Sequence, residues 1–93
     1  MHAIVVKVSF KDGRGDDANK LLHEMVVPTA KASPGFLHGF WMHSEDGSVG
    51  RSVELFDSEA NARASLESRA DGPPPEAPIT IEGIAIMEVV ASA

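Results

Sequence analysis

Between His2 and Phe10 the chain alternates, with Ile4, Val6, Val8 and Phe10 on one face and Lys7 and Ser9 on the other, and β-branched residues dominate. This is the pattern of a strand with one dry face. Lys11-Asp12-Gly13-Arg14-Gly15 supplies a turn, and Asp16 or Asp17 can cap a following helix, where a carboxylate also suits the positive end of the dipole. Over 16–32 the apolar positions Ala18, Leu21, Leu22 and Met25 keep the i, i+3, i+4, i+7 spacing of an amphipathic helix. Pro28 removes the hydrogen bond to the Glu24 carbonyl and restricts Val27, so the helix is expected to bend or end there, with Thr29 to Ala32 as a looser last turn. Ser33-Pro34-Gly35 is a clear break.

Residues 36–43 read as a second strand, with Phe36, His38, Phe40 and Met42 alternating against Leu37, Gly39, Trp41 and His43. Both faces carry large apolar groups, so one needs a helix layer and the other needs another subunit. Asp46-Gly47 is a hairpin pair, which sets the third strand, 49–56, antiparallel beside the second. Asp57 and Ser58 can each cap a short surface helix over 59–69, where Ala60, Ala62, Ala64 and Leu66 sit among polar residues. Residues 71–78 are rich in proline and predict a stiff extended connection. A last strand over 79–90 puts Ile79, Ile81, Gly83, Ala85, Met87 and Val89 on one face and Thr80, Glu82, Ile84, Ile86, Glu88 and Val90 on the other. It too is partly apolar on both.

Two split strand-helix-strand units in this order give an α+β, ferredoxin-like βαββαβ domain, a four-stranded antiparallel sheet with both helices on one face and the other face open. At 93 residues the chain is one domain, 1–93, and a domain this small buries only roughly 60 to 65% of its unfolded surface, so a subunit interface would add useful burial. The net charge of −6 is spread along the chain and the basic residues are scattered, which excludes a phosphate-binding surface and hence a nucleic-acid partner. With no cysteine there is no disulfide, thiolate nucleophile or Cys-based zinc site. The longest apolar runs, such as Ala3 to Val6 and Ile84 to Met87, fall far below the ~20 residues of a membrane helix. No membrane contact and a cytoplasmic location are therefore expected.

Ser33-Pro34-Gly35-Phe36 opening the second strand, Asp46-Gly47 in the hairpin, and Leu55-Phe56-Asp57-Ser58-Glu59-Ala60 leading into the second helix resemble the dimeric α+β barrel superfamily, and within it the antibiotic-biosynthesis-monooxygenase-like domains. The resemblance covers most of the chain. It implies a homodimer whose open sheet faces pack into a barrel, and a ligand cleft in each subunit between helices and sheet. Some relatives oxidise polycyclic aromatic substrates with O₂ and no bound cofactor, and others bind and degrade haem. In those relatives a Trp commonly occupies the position of Phe56, an Asn that of Ser52 or of Val6, and a Tyr or a second-helix His contributes further. Here Ser52, Phe56, Val6 and Ala62 stand at these positions, and the second helix has no His.

The residues of possible chemical interest are few. His38, among Phe36, Phe40 and Met42, could orient a substrate or move a proton near neutral pH, or could simply be a packed strand residue. His43 falls on the opposite face, so the two cannot grip one metal, and His2 near a frayed terminus and His23 on the helix surface add no metal site. Trp41 with Leu37 suits an anchor for the dimer face better than a ligand contact. Arg51 and Glu54 fall on opposite faces, while Ser52, Glu54 and Phe56 share one with Ile4, Val6 and Val8. Glu54 is either a buried general base or an exposed carboxylate near a sheet edge. The ligand-lining set is Val6, Phe40, Ser52, Phe56 and Ala62, with His38 and Glu54 as catalytic candidates. Three readings stay open: a small hydrophobic-ligand domain acting as a monooxygenase on an aromatic or quinol-type substrate without metal, flavin or other cofactor; a non-catalytic dimeric barrel that binds a metabolite or a partner protein; and haem binding without degradation.

Overall fold

A computed structural model describes residues 1–69 and 71–93. Its strands are β1 (His2–Phe10), β2 (Phe36–His43), β3 (Val49–Phe56) and β4 (Ile79–Glu88). Each runs where alternation or β-branched density predicts it. They form one antiparallel sheet in the order β2-β3-β1-β4, the ferredoxin-like α+β arrangement. Helix α3 (Glu59–Glu67) packs on β1, β3 and β4, and Ile4, Phe56 and Ala62 close the core between them with no exposed surface. Ser58 caps α3, its Oγ accepting the Asn61 amide at 3.1 Å.

The helix after β1 does not stop at the proline. It runs as α1 (Gly15–Leu21), a π turn (Leu22–Val26) and α2 (Val27–Ala32). The Val27 amide donates to the Leu22 carbonyl five residues back, and Pro28 falls in the first turn of α2, where a missing N–H is tolerated. The extra residue of the π turn thus absorbs the expected break. The N-cap of α1 is Arg14, without a side-chain cap, and Asp16 and Asp17 lie inside the first turn, where Asp17 pairs with Arg14 at 3.1 Å.

Strand pairing decides which side chains share a face. From β2 to β4, the helix side carries the rows Phe36-Phe56-His2-Glu88, Gly39-Glu54-Ile4-Ile86, Trp41-Ser52-Val6-Ile84 and His43-Gly50-Val8-Ile81. The open side carries His38-Leu55-Ala3-Met87, Phe40-Val53-Val5-Ala85 and Met42-Arg51-Lys7-Gly83. Two register shifts, at Leu37 in β2 and at Glu82 in β4, overturn the simple alternation in those strands. Phe36 therefore parts company with His38, Phe40 and Met42, and Ile79 and Ile81 join Ile84 and Ile86 on the helix side.

The proline segment is not an extended strut. The Ala77 amide donates to the Pro74 carbonyl, and the Lys11 amide to that of Pro78 at 2.9 Å. The Lys11 ammonium and the Arg14 guanidinium donate to the Pro75 and Glu76 carbonyls. Lys11 and Arg14 thus pin this segment, just ahead of β4, to the turn after β1.

Two turns carry expectations of their own. Gly35 has φ +78°, and a Cβ there would collide with the Asp57 carboxylate and lie 2.5 Å from Asn61 Nδ2. Those two side chains are hydrogen-bonded to each other, and the Asp57 amide donates to the Gly35 carbonyl, so neither gives way easily. Gly35→Ala is expected to cost about 2 kcal/mol of folding stability, readable as a lower denaturant midpoint with unchanged slope. In the β2-β3 hairpin, Asp46 Oδ1 accepts the Ser48 amide at 3.0 Å and the Ser44 and Ser48 hydroxyls at 2.7 Å. These bonds, the Ser48 amide foremost, lower its pKa from 3.8 to about 2. A depressed carboxylate stabilises the turn fully above its unfolded value, so that contribution is lost as pH falls from about 4 through about 2. A carbon-detected NMR titration of Asp46 in that window should track the loss of hairpin order.

Candidate functional site

The space that could receive a ligand lies between the helix side of the sheet and the α1-π segment. Its floor is the row Trp41-Ser52-Val6-Ile84, produced by alternation in four neighbouring strands. Val6 and Trp41 are half-buried, Ser52 is buried, and Ile84 is 40% exposed. The roof is poorly sealed. Helix α2 meets β2 and α3 meets the other three strands. Across this helical run only Ala18 and Ala30 are buried, Leu21, Leu22 and Val26 are half-buried, and Met25 is 61% exposed. The apolar side of this amphipathic run is thus only half-covered, and it faces the same side of the sheet as the floor row.

The five residues expected to line a ligand do not converge. Val6 is on the floor. Ser52 is on the same row but only 8% exposed, and Phe56 and Ala62 are sealed inside the core at 0%. Phe36 stands edge-on to Phe56, with ring centroids 5.9 Å apart, and joins the half-buried side chains packed on that core. Phe40 lies on the opposite face, 54% exposed. The bulge at Leu37 explains this, since it moves Phe40 to the open side and brings Trp41 to the helix side. Trp41, expected at the dimer face, is instead the large aromatic group of the cleft floor, and only the bulge could have revealed it.

Of the two catalytic candidates, Glu54 is 1% exposed and its carboxylate is gripped by Arg69 in a bidentate pair, Nη1 to Oε2 at 3.0 Å and Nη2 to Oε1 at 2.8 Å. Arg69 also donates to the hydroxyl of Ser65 at 2.8 Å. Ser65 Oγ lies 3.4 Å from Ser33 Oγ, which donates to the Thr29 carbonyl at 3.1 Å. The network links the end of α3 to the centre of β3 and to the end of α2. With both oxygens committed, Glu54 is arranged as a structural anion and not as an open base. Sequence reading missed this because Arg69 lies fifteen residues on, beyond α3.

His38 stands on the open side, its ring 4.7 Å from that of Phe40 and edge-on to it, away from the cleft. His43 lies on the helix side at the hairpin, with Nδ1 2.9 Å from the Ser44 carbonyl oxygen. His2 is not frayed: it is paired in β1, its side chain is 18% exposed, and Nε2 lies 3.5 Å from Glu59 and 4.0 Å from Glu88. Among the described residues, no group of three or more His, Asp or Glu side chains is placed to hold a metal ion. No described helix is long and apolar enough to cross a membrane.

The family described as antibiotic biosynthesis monooxygenase matches residues 1–70. Among curated proteins, no sequence relative matches. Among solved structures, the chain is similar to the haem degrader MhuD of Mycobacterium tuberculosis, solved with two haems in its active site, with 18% identity, TM-score 0.75, and 100% of this chain and 99% of that one covered. It is similar to SnoaB, a cofactor-independent oxygenase of Streptomyces nogalater, with 12% identity, TM-score 0.74, and 98% and 95% covered. It is also similar to the ActVA-Orf6 monooxygenase of Streptomyces coelicolor, solved with nanaomycin D, with 17% identity, TM-score 0.66, and 99% and 89% covered. At such identities the likeness is one of fold.

Proposed function

Because the chain belongs to the antibiotic biosynthesis monooxygenase family, we propose that it binds a small, largely apolar aromatic or quinol-type molecule in the cleft between the α1-π segment and the sheet, and acts on it with O₂ without a bound cofactor. The observation that carries this is the incomplete cover of apolar side chains on the helix side of the sheet, Trp41, Val6 and Ile84 on the strands and Leu21, Leu22, Val26 and Met25 on the helical run. Proteins of the same fold are described as a cofactor-independent oxygenase and as a monooxygenase in complex with nanaomycin D. In such a reaction the substrate supplies its own electrons: a ring CH₂ becomes a ketone, one oxygen atom enters the product and the other leaves as water. Oxygen uptake with anthrone should exceed the protein-free rate and fall when Val6→Trp fills the floor. Uptake no faster than in buffer would remove the oxygenase half of the reading.

A second reading, a non-catalytic domain that holds a metabolite, is favoured by the burial of Phe56 and Ala62 at 0% and by the engagement of Glu54 with Arg69. Phe56 and Ala62, two of the positions at which relatives carry reactive side chains, are thus left without accessible surface. Binding of anthraquinone without oxygen uptake from anthrone is its expected signature. Under either reading the open sheet face takes a second copy of the chain, since Phe40, Met42 and Met87 there are each more than half exposed.

A further inference from the structure

Gly39 and Trp41 occupy the helix side of β2 in successive rows. A Cβ at residue 39 would lie 2.6 Å from Cη2 and 2.8 Å from Cζ3 of Trp41, and 3.2 Å from Cζ of Phe36. The six-membered ring of the indole therefore lies over the Gly39 backbone, in the space that any other residue would fill with its own side chain. A tryptophan folded down in this way runs back along β2 towards Gly39. Its neighbours across the strands are Ser52 and then Val6, beneath the unsealed α1-π roof. The half-buried indole is the largest aromatic surface on this floor, and the position at which relatives carry a tryptophan is here Phe56, sealed at 0%.

Resting on the proposed ligand cleft, we infer that Trp41, folded down along β2 into the space that Gly39 leaves free, is the stacking platform that selects planar aromatic ligands over saturated ones of similar size. A flat ring offers its full face to another flat ring, and offset stacking adds an orientation-dependent gain to area burial that a saturated ligand does not receive. Gly39 is then a positioning residue: a methyl group there would tip the indole off the strand without removing it.

Trp41 is the one tryptophan of the chain, so its emission reports this site alone. Dihydroxyanthraquinone is the planar probe and cyclododecanol the saturated one, with binding of each followed by equilibrium dialysis. The planar probe should quench Trp41 emission along the same saturation curve that dialysis gives. Trp41→Leu and Gly39→Ala should each weaken the planar probe about 3- to 10-fold and the saturated probe less than 2-fold, with folding checked by circular dichroism. Dialysis-detected binding with unmoved emission overturns the inference while leaving the cleft reading intact, and so does equal weakening of both probes. Failure of both probes to bind the unaltered protein overturns the cleft reading and the inference with it.

Discussion

Arg69→Ala is expected to remove about 3–5 kcal/mol of folding stability, more than any change to the cleft floor. Glu54 is 1% exposed, and Arg69 is the one cation within 4 Å of it among the described residues. Without the guanidinium, the carboxylate keeps its desolvation penalty and loses its counter-charge, and Ser65 loses its donor at the same time. The double variant Glu54→Leu with Arg69→Met should recover most of the loss, because a buried ion pair is worth little more than an apolar pair of similar volume once both charges are gone. Urea unfolding of the parent, the Arg69→Ala variant and the double variant checks both statements. An Arg69→Ala chain as stable as the parent would mean that Glu54 reaches water, and the account of the anchor would fall.

Phe40→Glu is expected to abolish self-association. The isolated chain exposes 6149 Å², about 900 Å² more than the roughly 5,200 Å² usual for a monomer of 9.9 kDa. That excess is comparable with the area that one partner contributes to a standard interface, about 800 Å². Phe40, 54% exposed, lies on the row Phe40-Val53-Val5-Ala85, in the middle of the open face. A carboxylate there would have to be desolvated without a partner, a cost of several kcal/mol, which suffices to shift a micromolar or tighter dimer to monomer. Sedimentation velocity at micromolar concentration reads the outcome. An unaltered dimer in Phe40→Glu would rule out this face.

The strands were legible because period-2 alternation and the Asp46-Gly47 pair are local signals, and the order of the elements follows from them. The assignment of Trp41 and Phe40 to faces was not legible, since a single inserted residue, Leu37, reverses every later side chain in β2 while leaving the alternation intact. Glu82 does the same in β4. The Glu54-Arg69 anchor escaped for a different reason: it joins a mid-strand residue to the exit of a helix, and no short-range pattern encodes that meeting. Of the ligand-lining set, Val6, Ser52 and Phe56 share the helix side of the sheet, but how deeply each is buried depends on how α3 seats, which periodicity does not specify.

The π turn ahead of Pro28 has a kinetic side. Its hydrogen bonds are spaced five residues apart, none of its residues is buried, and Pro28 returns no amide hydrogen to the turn before it. This stretch is therefore the weakest in the helical run and opens at a lower free energy than α3, whose Ala62 is locked in the core. A ligand bound beneath this stretch, as proposed above, would enter and leave through brief local unwinding. Residence time is then decoupled from the lifetime of the fold as a whole.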